Sequence, residues 1–434
     1  ENIIGATGFG PGGHYTSNSA PEPVDSDWSF ISNGDGTWTV IKYIGNANAT
    51  EVSIPYSHNG GSVTKTDNGG DWGYGIFYDN DGTSHGAENI SKIYIPDTVT
   101  TLESFAFNSC KALTSINIPD SVTTIGTGAF GDCYALTSIS LPNSITSIGQ
   151  AAFIRTALTS ITIPNGVTTI PSYMCSQCPL TTVNIPDSVD IIGECAFEMC
   201  KLLTSITIPN GVTTIDTSAF SQCAALTSIN IPDSVTTIRE QVFWGCMALT
   251  SINIPNGVTI IDKYCFSQCI SLTSINIPDS VTTIGTGAFE YCTNLTSVNI
   301  PNSVTEISGS VFYNCTALAS ITIPESVTTI RICCFYKCAS LTSIVIPDSV
   351  TTIEKMAFEG CTNLTSVNIP NGVLDIPEKA FANCKSLTSI VIPNSVTTIK
   401  DYAFIGCNNL TVQRPAAKTT WTASYLGCKA VTTY

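Results

Sequence analysis

Residues 113–135, LTSINIPDSVTTIGTGAFGDCYA, are one copy of a 23-residue repeat that continues almost without interruption from about Ile90 to about Leu410. Its general form is LTSIxIP[DN][SG]VTTIxxxAFxxCxx. A fold stacked from near-identical coils presents the same side chains many times and buries its core between neighbouring coils. The repeat therefore predicts a solenoid, and it argues against an enzyme built around one cleft.

The proline of the repeat sets the register of the array. Successive copies are 23 residues apart, except for two steps of 22 between Pro142 and Pro186. The motif prolines are Pro96, Pro119, Pro142, Pro164, Pro186, Pro209, Pro232, Pro255, Pro278, Pro301, Pro324, Pro347, Pro370 and Pro393. Degenerate copies precede the array at residues 52–55 and follow it at residues 410–415, so we expect about 15 coils with capping ends.

Within one copy, the alternation of apolar and polar residues over 113–118 predicts a short strand with one buried face. Ser115 and Asn117 would point outward. The following proline ends the strand, because it cannot donate a ladder hydrogen bond and favours a turn. A second short extended segment over 122–125 and a single helical or 3₁₀ turn over 126–133 would complete the coil.

Three kinds of side-chain ladder are expected inside the stack: one of leucine and isoleucine, one of phenylalanine and one of cysteine. Thirteen of the 19 cysteines occupy the same position, three residues after the phenylalanine position. Neighbouring cysteines in such a ladder would be about 4.8 Å apart with parallel side chains, which suits neither a disulfide nor a tetrahedral zinc site. We interpret them as buried thiols that behave as small hydrophobic residues.

The motifs LTSIxIP and VTTIxxxAFxxC resemble the BspA-like, or Treponema pallidum-type, class of leucine-rich repeats over about 320 of the 434 residues. Residues 30–40 and 49–55 also look like the usual lead-in to such arrays. The resemblance implies a leucine-rich-repeat solenoid with a parallel β-sheet on the concave face and short turns on the other side. It implies an extracellular or cell-surface protein of a bacterium or anaerobic protist, often one that adheres to host matrix proteins or cells. No catalytic motif comes with the family.

Polar columns on the predicted concave sheet are the candidate binding surface. Hydroxyls and amides at strand spacing could match a periodic ligand such as a glycan or an extended peptide. They could equally be an uncharged solvent-facing surface whose side chains bond along the ladder. The candidate residues are Ser115, Asn117, Asn184, Asn230, Asn253, Asn276, Asn299 and Asn368. Tyr94, Val345 and Val391 depart from this pattern without forming an evident hot spot.

Both ends differ from the array in composition. Residues 1–88 hold a Gly/Pro-rich segment and an aromatic β cap, residues 89–409 form the array, and residues 410–434 form a C-terminal cap. Residues 33–36, NGDG, predict a hairpin turn. Asp79 and Asp81 hint at calcium but lack the remaining spacing of a calcium loop, so we predict no metal and no cofactor. Candidate contacts at the two ends are Trp28, Trp38, Trp72, Arg414, Lys418 and Trp421.

Charge is unevenly distributed along the chain. Residues 1–330 carry 27 acidic and 8 basic side chains, whereas residues 331–434 carry 6 acidic and 9 basic ones. An acidic head and a mildly basic tail would attract each other in successive molecules, which raises the hypothesis of a head-to-tail filament. The net charge of −16 disfavours nucleic acids and anionic membranes as partners.

Catalytic residues are scarce in this sequence. Its three histidines all lie outside the array, and GxSxG, HExxH and phosphate-loop motifs are absent. The sequence therefore predicts a non-enzymatic, secreted or surface protein that mediates adhesion or binds a protein or glycan of a host or neighbouring cell. The alternative is a structural subunit whose partner is itself. Membrane insertion is not expected, because no run of about 18 apolar residues is present.

Overall fold

The computed structural model describes residues 14–15, 20–67, 75–78 and 87–434. These residues belong to two compact units, Glu1–Val212 and Thr213–Tyr434, here called the N-terminal unit and the C-terminal unit. Each unit is a parallel β-solenoid. The described chain makes about 17 turns, close to the number expected from the repeat. The three-part division at residues 88/89 and 409/410 stays a prediction.

The N-terminal unit begins with a 3₁₀ helix, Asp25–Asp27, and contains sixteen strands in its described residues. In chain order they are β1 (Trp28–Ser32), β2 (Trp38–Tyr43), β3 (Glu51–Ser53), β4 (Ser57–His58), β5 (Gly61–Thr66), β6 (Lys92–Tyr94), β7 (Thr101–Leu102), β8 (Ser115–Asn117), β9 (Thr124–Ile125), β10 (Ser138–Ser140), β11 (Ser147–Ile148), β12 (Ser160–Thr162), β13 (Thr169–Ile170), β14 (Thr182–Asn184), β15 (Ile191–Ile192) and β16 (Ser205–Thr207).

Two strand ladders run through the coils of this unit. The strand before the motif proline belongs to the first ladder, which joins β3, β6, β8 and β10 and also pairs β12 with β14. The strand after the proline belongs to the second ladder, which joins β5, β7, β9 and β11 and pairs β13 with β15. Both predicted strand segments of the repeat are therefore present.

An antiparallel hairpin of β1 and β2 precedes the second ladder. Its turn is the one expected at residues 33–36, and the Asn33 amide donates to the Thr37 carbonyl at 3.0 Å. Strand β2 pairs with β5 in parallel, which joins the hairpin to the second ladder. Strand β3 pairs in register with β6, so the degenerate copy at residues 52–55 continues the first ladder.

The C-terminal unit continues the same pattern with seventeen strands and one short helix, α1 (Ala423–Leu426), in its described residues. Its strands are β17 (Thr214–Ile215), β18 (Ser228–Asn230), β19 (Thr237–Ile238), β20 (Ile260–Ile261), β21 (Ser274–Ile275), β22 (Thr283–Ile284), β23 (Ser297–Val298), β24 (Glu306–Ile307), β25 (Thr329–Ile330), β26 (Ser343–Ile344), β27 (Thr352–Ile353), β28 (Ser366–Val367), β29 (Asp375–Ile376), β30 (Ser389–Val391), β31 (Thr398–Ile399), β32 (Cys407–Arg414) and β33 (Cys428–Thr433).

Pairing in this unit keeps equivalent repeat positions side by side. Ser343 of β26 faces Ser366 of β28, and the inward-facing Ile344 lies beside Val367. At the end of the unit, β32 pairs in parallel with β30 on one side and with β33 on the other. Because identical positions align from coil to coil, each side chain of the repeat forms a column through the unit.

The segment after the second strand is not the single helical turn that the sequence predicted. In the coil of residues 103–110, Ala106, Asn108 and Cys110 donate to the carbonyl three residues back, which gives three successive β-turns. Phe105 and Ser109 have φ angles of 60°, in the left-handed region. A helix needs right-handed angles throughout, so these two residues prevent one. The intervening amides instead donate to the next coil.

Phenylalanine rings fill the core beneath these turns. In the C-terminal unit, consecutive rings from Phe220 to Phe404 stack with centroids 5.3 to 6.0 Å apart and planes within 11° of parallel. In the N-terminal unit Phe107 stacks on Phe130 at 5.3 Å with planes 29° from parallel, and Phe130 stacks on Phe153 at 5.6 Å with planes 8° from parallel. Fully burying such a ring stabilises the fold by about 2 to 3 kcal/mol, so the column is a major source of stability.

Candidate binding surface

The predicted polar residues lie on the first ladder of both units. All of them are exposed: Ser115, Asn117 and Asn184 in the N-terminal unit, and Asn230, Asn253, Asn276, Asn299 and Asn368 in the C-terminal unit. Asn253, Asn276 and Asn299 form isolated bridges outside the named strands. The structure places Asn230, Asn253, Asn276 and Asn299 in successive coils, whereas Asn184 lies three coils after Asn117 and Asn368 lies three coils after Asn299.

Asn368 shows what an amide can do at this position. Its Oδ1 accepts from the Ile346 amide at 2.8 Å, and its Nδ2 donates to the Ile346 carbonyl at 2.7 Å. One side chain thus satisfies both backbone groups of a residue in the neighbouring coil. For this residue, the interpretation of the column as hydrogen bonding along the ladder is correct.

A groove of about 800 Å³ opens on the first ladder near the end of the C-terminal unit. Its most exposed apolar side chains are Val345 and Val391, which are 73% and 50% exposed. Tyr434 also lines the groove and keeps 55% of its surface exposed, while its hydroxyl donates to the Ile392 carbonyl at 2.8 Å. The two valines were visible in the sequence as departures from the column, but the tyrosine was not identified as their neighbour.

The groove contains no charged side chain among its lining residues. Asn371 and Asn394 stand at the turn position that follows the motif proline, where many other coils have aspartate. A second groove in the same unit, of about 650 Å³, lies along the second ladder and differs in this respect. Its lining combines exposed Leu374 with Glu354, Asp375, Lys355 and Lys400, among others.

A small pocket of about 140 Å³ lies on the first ladder of the N-terminal unit and is lined in part by Tyr15 and Tyr94. Tyr94 is held in place because its hydroxyl donates to the Glu51 carboxylate at 3.0 Å. Lys92 donates to the same carboxylate at 2.8 Å. Hydrogen bonds from Lys92 and Tyr94 lower the pKa of Glu51.

Three tyrosines form a short column on the turn side of the C-terminal unit. Tyr313 stacks on Tyr336 with ring centroids 4.6 Å apart, and Tyr291 lies 5.4 Å from Tyr313 at a steeper angle. The ammonium of Lys337 lies 5.2 Å from the Tyr336 centroid. Burial and the neighbouring phenols raise the pKa of Tyr313 to about 12.

The proposed end contacts have different environments. Trp28 is only 5% exposed and packs against Tyr43 and Phe77 with centroids 4.9 and 6.0 Å away. Trp421 is also 5% exposed, and the Lys418 ammonium lies 5.3 Å from its ring. Both tryptophans are therefore packing residues that offer little surface to a partner.

The other three candidates at the ends are less uniform. Trp38 is partly exposed and meets the His58 ring edge-on at 4.7 Å. Arg414 is partly buried, and its Nη1 donates to the Pro415 carbonyl at 3.2 Å. Trp72 lies outside the described residues, as do Asp79 and Asp81.

The thirteen ladder cysteines are buried thiols, as the sequence predicted. They also make a polar contact that the sequence did not predict, because most of them donate to the carbonyl of the residue in the phenylalanine position of the preceding coil. Cys292 Sγ lies 3.1 Å from the Phe266 carbonyl, and Cys338 Sγ lies 3.2 Å from that of Phe312. Burial raises the pKa of both thiols. Of all 19 cysteines, Cys333 and Cys428 are the two that are partly exposed.

Metal sites and membrane-spanning helices are both absent from the residues that the structure describes. These residues contain no group of three or more histidine, cysteine, aspartate or glutamate side chains arranged to hold a metal ion. They also contain no helix that is long and apolar enough to cross a membrane.

Similarity to known proteins agrees with this architecture. The model of the BspA type leucine rich repeat region matches residues 84–204, 190–319 and 282–411. The chain belongs to the BspA-type leucine-rich-repeat family. No curated protein matches it.

Two solved structures share the fold of this family member. A leucine-rich repeat protein from Bacteroides ovatus is 31% identical, with a TM-score of 0.73, over 95% of this chain and 100% of that one. A leucine rich cell surface protein from Faecalibacterium prausnitzii is 32% identical, with a TM-score of 0.54, over 88% of this chain and 96% of that one. This family member therefore resembles proteins of Bacteroides ovatus and Faecalibacterium prausnitzii over most of its length.

Proposed function

We propose that this protein is a non-enzymatic bacterial surface protein that attaches to a host or neighbouring cell through the first ladder of its C-terminal unit. The observation that carries the proposal is the groove beside Val345, Val391 and Tyr434. Exposed apolar side chains surrounded by amides and hydroxyls are typical of binding sites, because apolar area supplies affinity and polar groups supply orientation. A surface location is supported by the description of the Faecalibacterium relative as a cell surface protein.

Catalysis is not part of this proposal. The polar side chains that line the groove are serines, asparagines and Tyr434, whose hydroxyl is bonded to the Ile392 carbonyl. The buried thiols of Cys292 and Cys338 are further from the nucleophilic form than ordinary cysteines, because burial raises their pKa. The inventory fits recognition, which needs only shape and hydrogen bonds.

A direct test measures attachment of the purified, fluorescently labelled chain to cultured epithelial cells and to immobilised basement-membrane extract. We expect saturable binding that unlabelled protein displaces. Labelled serum albumin controls for adsorption. Binding to neither surface above the albumin level would contradict the proposed function.

A second candidate function is self-assembly into an extracellular filament. Strand β33 pairs with β32 on one side, and no strand among the described residues pairs with its other side. Such an edge can accept a strand from another molecule. The acidic excess of residues 1–330 and the basic excess of residues 331–434 would favour head-to-tail contacts.

Sedimentation velocity at about 0.01 M and 0.15 M salt separates the two candidates, because screening weakens attraction between exposed charges. A filament subunit would sediment as polymers, more so at low salt, and Lys429→Glu in β33 would reduce them. Lys263→Glu is the matched control, since it makes the same charge change on an exposed residue far along the chain from β33. A chain that stays monomeric at both salt concentrations contradicts self-assembly.

A further inference from the structure

The groove on the first ladder interrupts an otherwise polar column in a regular way. Val345, Asn368 and Val391 are successive members of one outward column, where most coils have asparagine, threonine or serine. The two valines are therefore two strand spacings apart, or about 10 Å. Between them, Asn368 is occupied by its two hydrogen bonds to Ile346. The result is a pair of apolar contact points separated by a fixed amide.

Tyr434 adds an aromatic ring to these contact points. Its hydroxyl is anchored on the Ile392 carbonyl, and its amide donates to the Arg414 carbonyl at 3.2 Å. The ring is held at both its hydroxyl and its backbone while more than half of its surface remains exposed. A ring fixed in this way loses little conformational entropy when a ligand packs on it.

The lack of charged side chains in the groove restricts the chemical class of ligand that it can bind. The chain has a net charge of −16, yet no side chain that lines this groove is charged, and Asn371 and Asn394 stand where six other coils have aspartate. A charged ligand would have to lose its hydration without gaining an ion pair, which is costly. By contrast, the groove on the second ladder is lined by both acidic and basic side chains.

Peptide recognition is also disfavoured by the geometry. An extended peptide gains affinity mainly by pairing its backbone with an open strand edge, and an amphipathic helix needs a continuous apolar groove. The floor here is the face of a ladder whose Ile346 backbone groups are already bonded to Asn368. The apolar surface is interrupted by that same amide.

We propose that this groove binds an uncharged oligosaccharide. The apolar faces of sugar rings would pack on Tyr434 and on the two valines, and the ring hydroxyls would bond to exposed Ser366, Ser389, Asn371 and Asn394. Two strand spacings, about 10 Å, leave room for one sugar ring over each valine and a third between them over Asn368. This inference rests on the proposed function, because it names the ligand class of the same surface.

Calorimetric titration of the full chain with cellotetraose, maltotetraose, laminaritetraose and N-acetylchitotetraose tests the proposal, with a heparin-derived tetrasaccharide as the charged comparison. We expect at least one neutral oligosaccharide to bind at concentrations up to about 1 mM. Val345→Asn combined with Val391→Asn restores the common residue of the column and should weaken that binding about tenfold or more. Tyr434→Ala should do the same, while Tyr434→Phe keeps the ring and most of the affinity.

Leu374→Thr is the matched control. It also replaces an exposed apolar residue by the usual residue of its repeat position, but on the second ladder, so it should leave the affinity unchanged. Circular dichroism verifies that each variant is folded. The proposal is overturned if no neutral oligosaccharide binds, if only the heparin fragment binds, or if the double valine variant binds as well as the wild type. Attachment to cells without any oligosaccharide binding would refute this inference and leave the proposed function intact.

Discussion

Individual residues in the turns adopt a conformation that their side chains disfavour. Two positions in most coils lie in the left-handed region, and most of them are not glycine: examples are Gln268 with φ 61° and Lys337 with φ 56°. For an L-residue with a Cβ atom this region costs about 1 to 2 kcal/mol. The inter-coil hydrogen bonds that these turns make, such as that from the Gln268 amide to the Glu290 carbonyl at 2.7 Å, offset the cost.

Glycine at such a position should therefore stabilise the protein. We predict that Gln268→Gly is more stable than Gln268→Ala by about 1 kcal/mol, because both remove the side chain and only glycine relieves the strain. The preceding coil already has glycine at this position, Gly245 with φ 71°. Chemical denaturation of the two variants measures the difference. An alanine variant as stable as the glycine variant would show that the turn is not strained.

The buried thiols give stability a defined pH dependence. Burial raises the pKa of Cys292 in the folded chain, whereas an unfolded thiol titrates near about 8.5. A group whose folded pKa is raised contributes stability below its unfolded pKa, and that contribution is lost as the pH rises towards the folded pKa. The free energy of unfolding should therefore decrease above about pH 8.5, as the unfolded state releases its thiol protons.

Cys292→Ala isolates the contribution of one thiol. Above about pH 8.5, we predict that the free energy of unfolding of the wild type falls more steeply than that of the variant, by about 1.4 kcal/mol per pH unit. Denaturant titrations at a series of pH values under reducing conditions provide the slopes. Parallel pH profiles would mean that Cys292 is not protected in the folded state.

At the scale of the strand and turn, hydroxyl groups join each coil to the one before it. In most coils that have a serine two residues after the motif proline, its hydroxyl donates to the valine carbonyl of the preceding coil. Ser349 Oγ lies 2.7 Å from the Val327 carbonyl, and Ser326 Oγ lies 2.6 Å from that of Val304. Threonines near the first ladder act similarly, as in Thr365 and the Thr342 carbonyl at 3.0 Å.

Loss of one such hydroxyl should be measurable. We predict that Ser349→Ala lowers the free energy of unfolding by about 1 kcal/mol, which is the usual net value of a hydrogen bond. Ser297→Ala removes an exposed serine from the first ladder and should change stability by less than about 0.5 kcal/mol. Equal effects of the two substitutions would indicate that the bond between coils contributes nothing.

Elements were predictable wherever the repeat itself carries the signal. Alternation around Ile116 and the motif proline predicted the first-ladder strands, and the constant phenylalanine position predicted the ring column. The turn conformation was missed because its left-handed positions hold glutamine, lysine, tyrosine and asparagine, which give no glycine signal. The groove was missed because Tyr434 lies outside the repeat. It is placed beside the groove by the pairing of the preceding strand, β33, with β32.

At the scale of the whole molecule, the regular positions of the repeat and the departures from it have different roles. Regular positions maintain the stack, and positions such as Val345 and Val391 are free to vary on the exposed face. Since the family is defined by the regular positions, its members can share a fold and differ in ligand. The specificity of this chain should therefore reside in its departures from the repeat.

The most direct test that the first ladder of the C-terminal unit is the binding face measures attachment to epithelial cells and basement-membrane extract after carboxylates are placed on one face at a time. One variant, Asn299→Glu with Val345→Glu, adds two carboxylates to the first ladder of the C-terminal unit. The matched variant, Thr283→Glu with Thr352→Glu, adds two carboxylates to the second ladder of the same unit. A carboxylate buried by a partner must lose its hydration, so we predict at least about a tenfold loss of affinity for the first pair and little change for the second. Unchanged attachment by the first pair, or equal losses by both, would contradict the assignment of binding to this face.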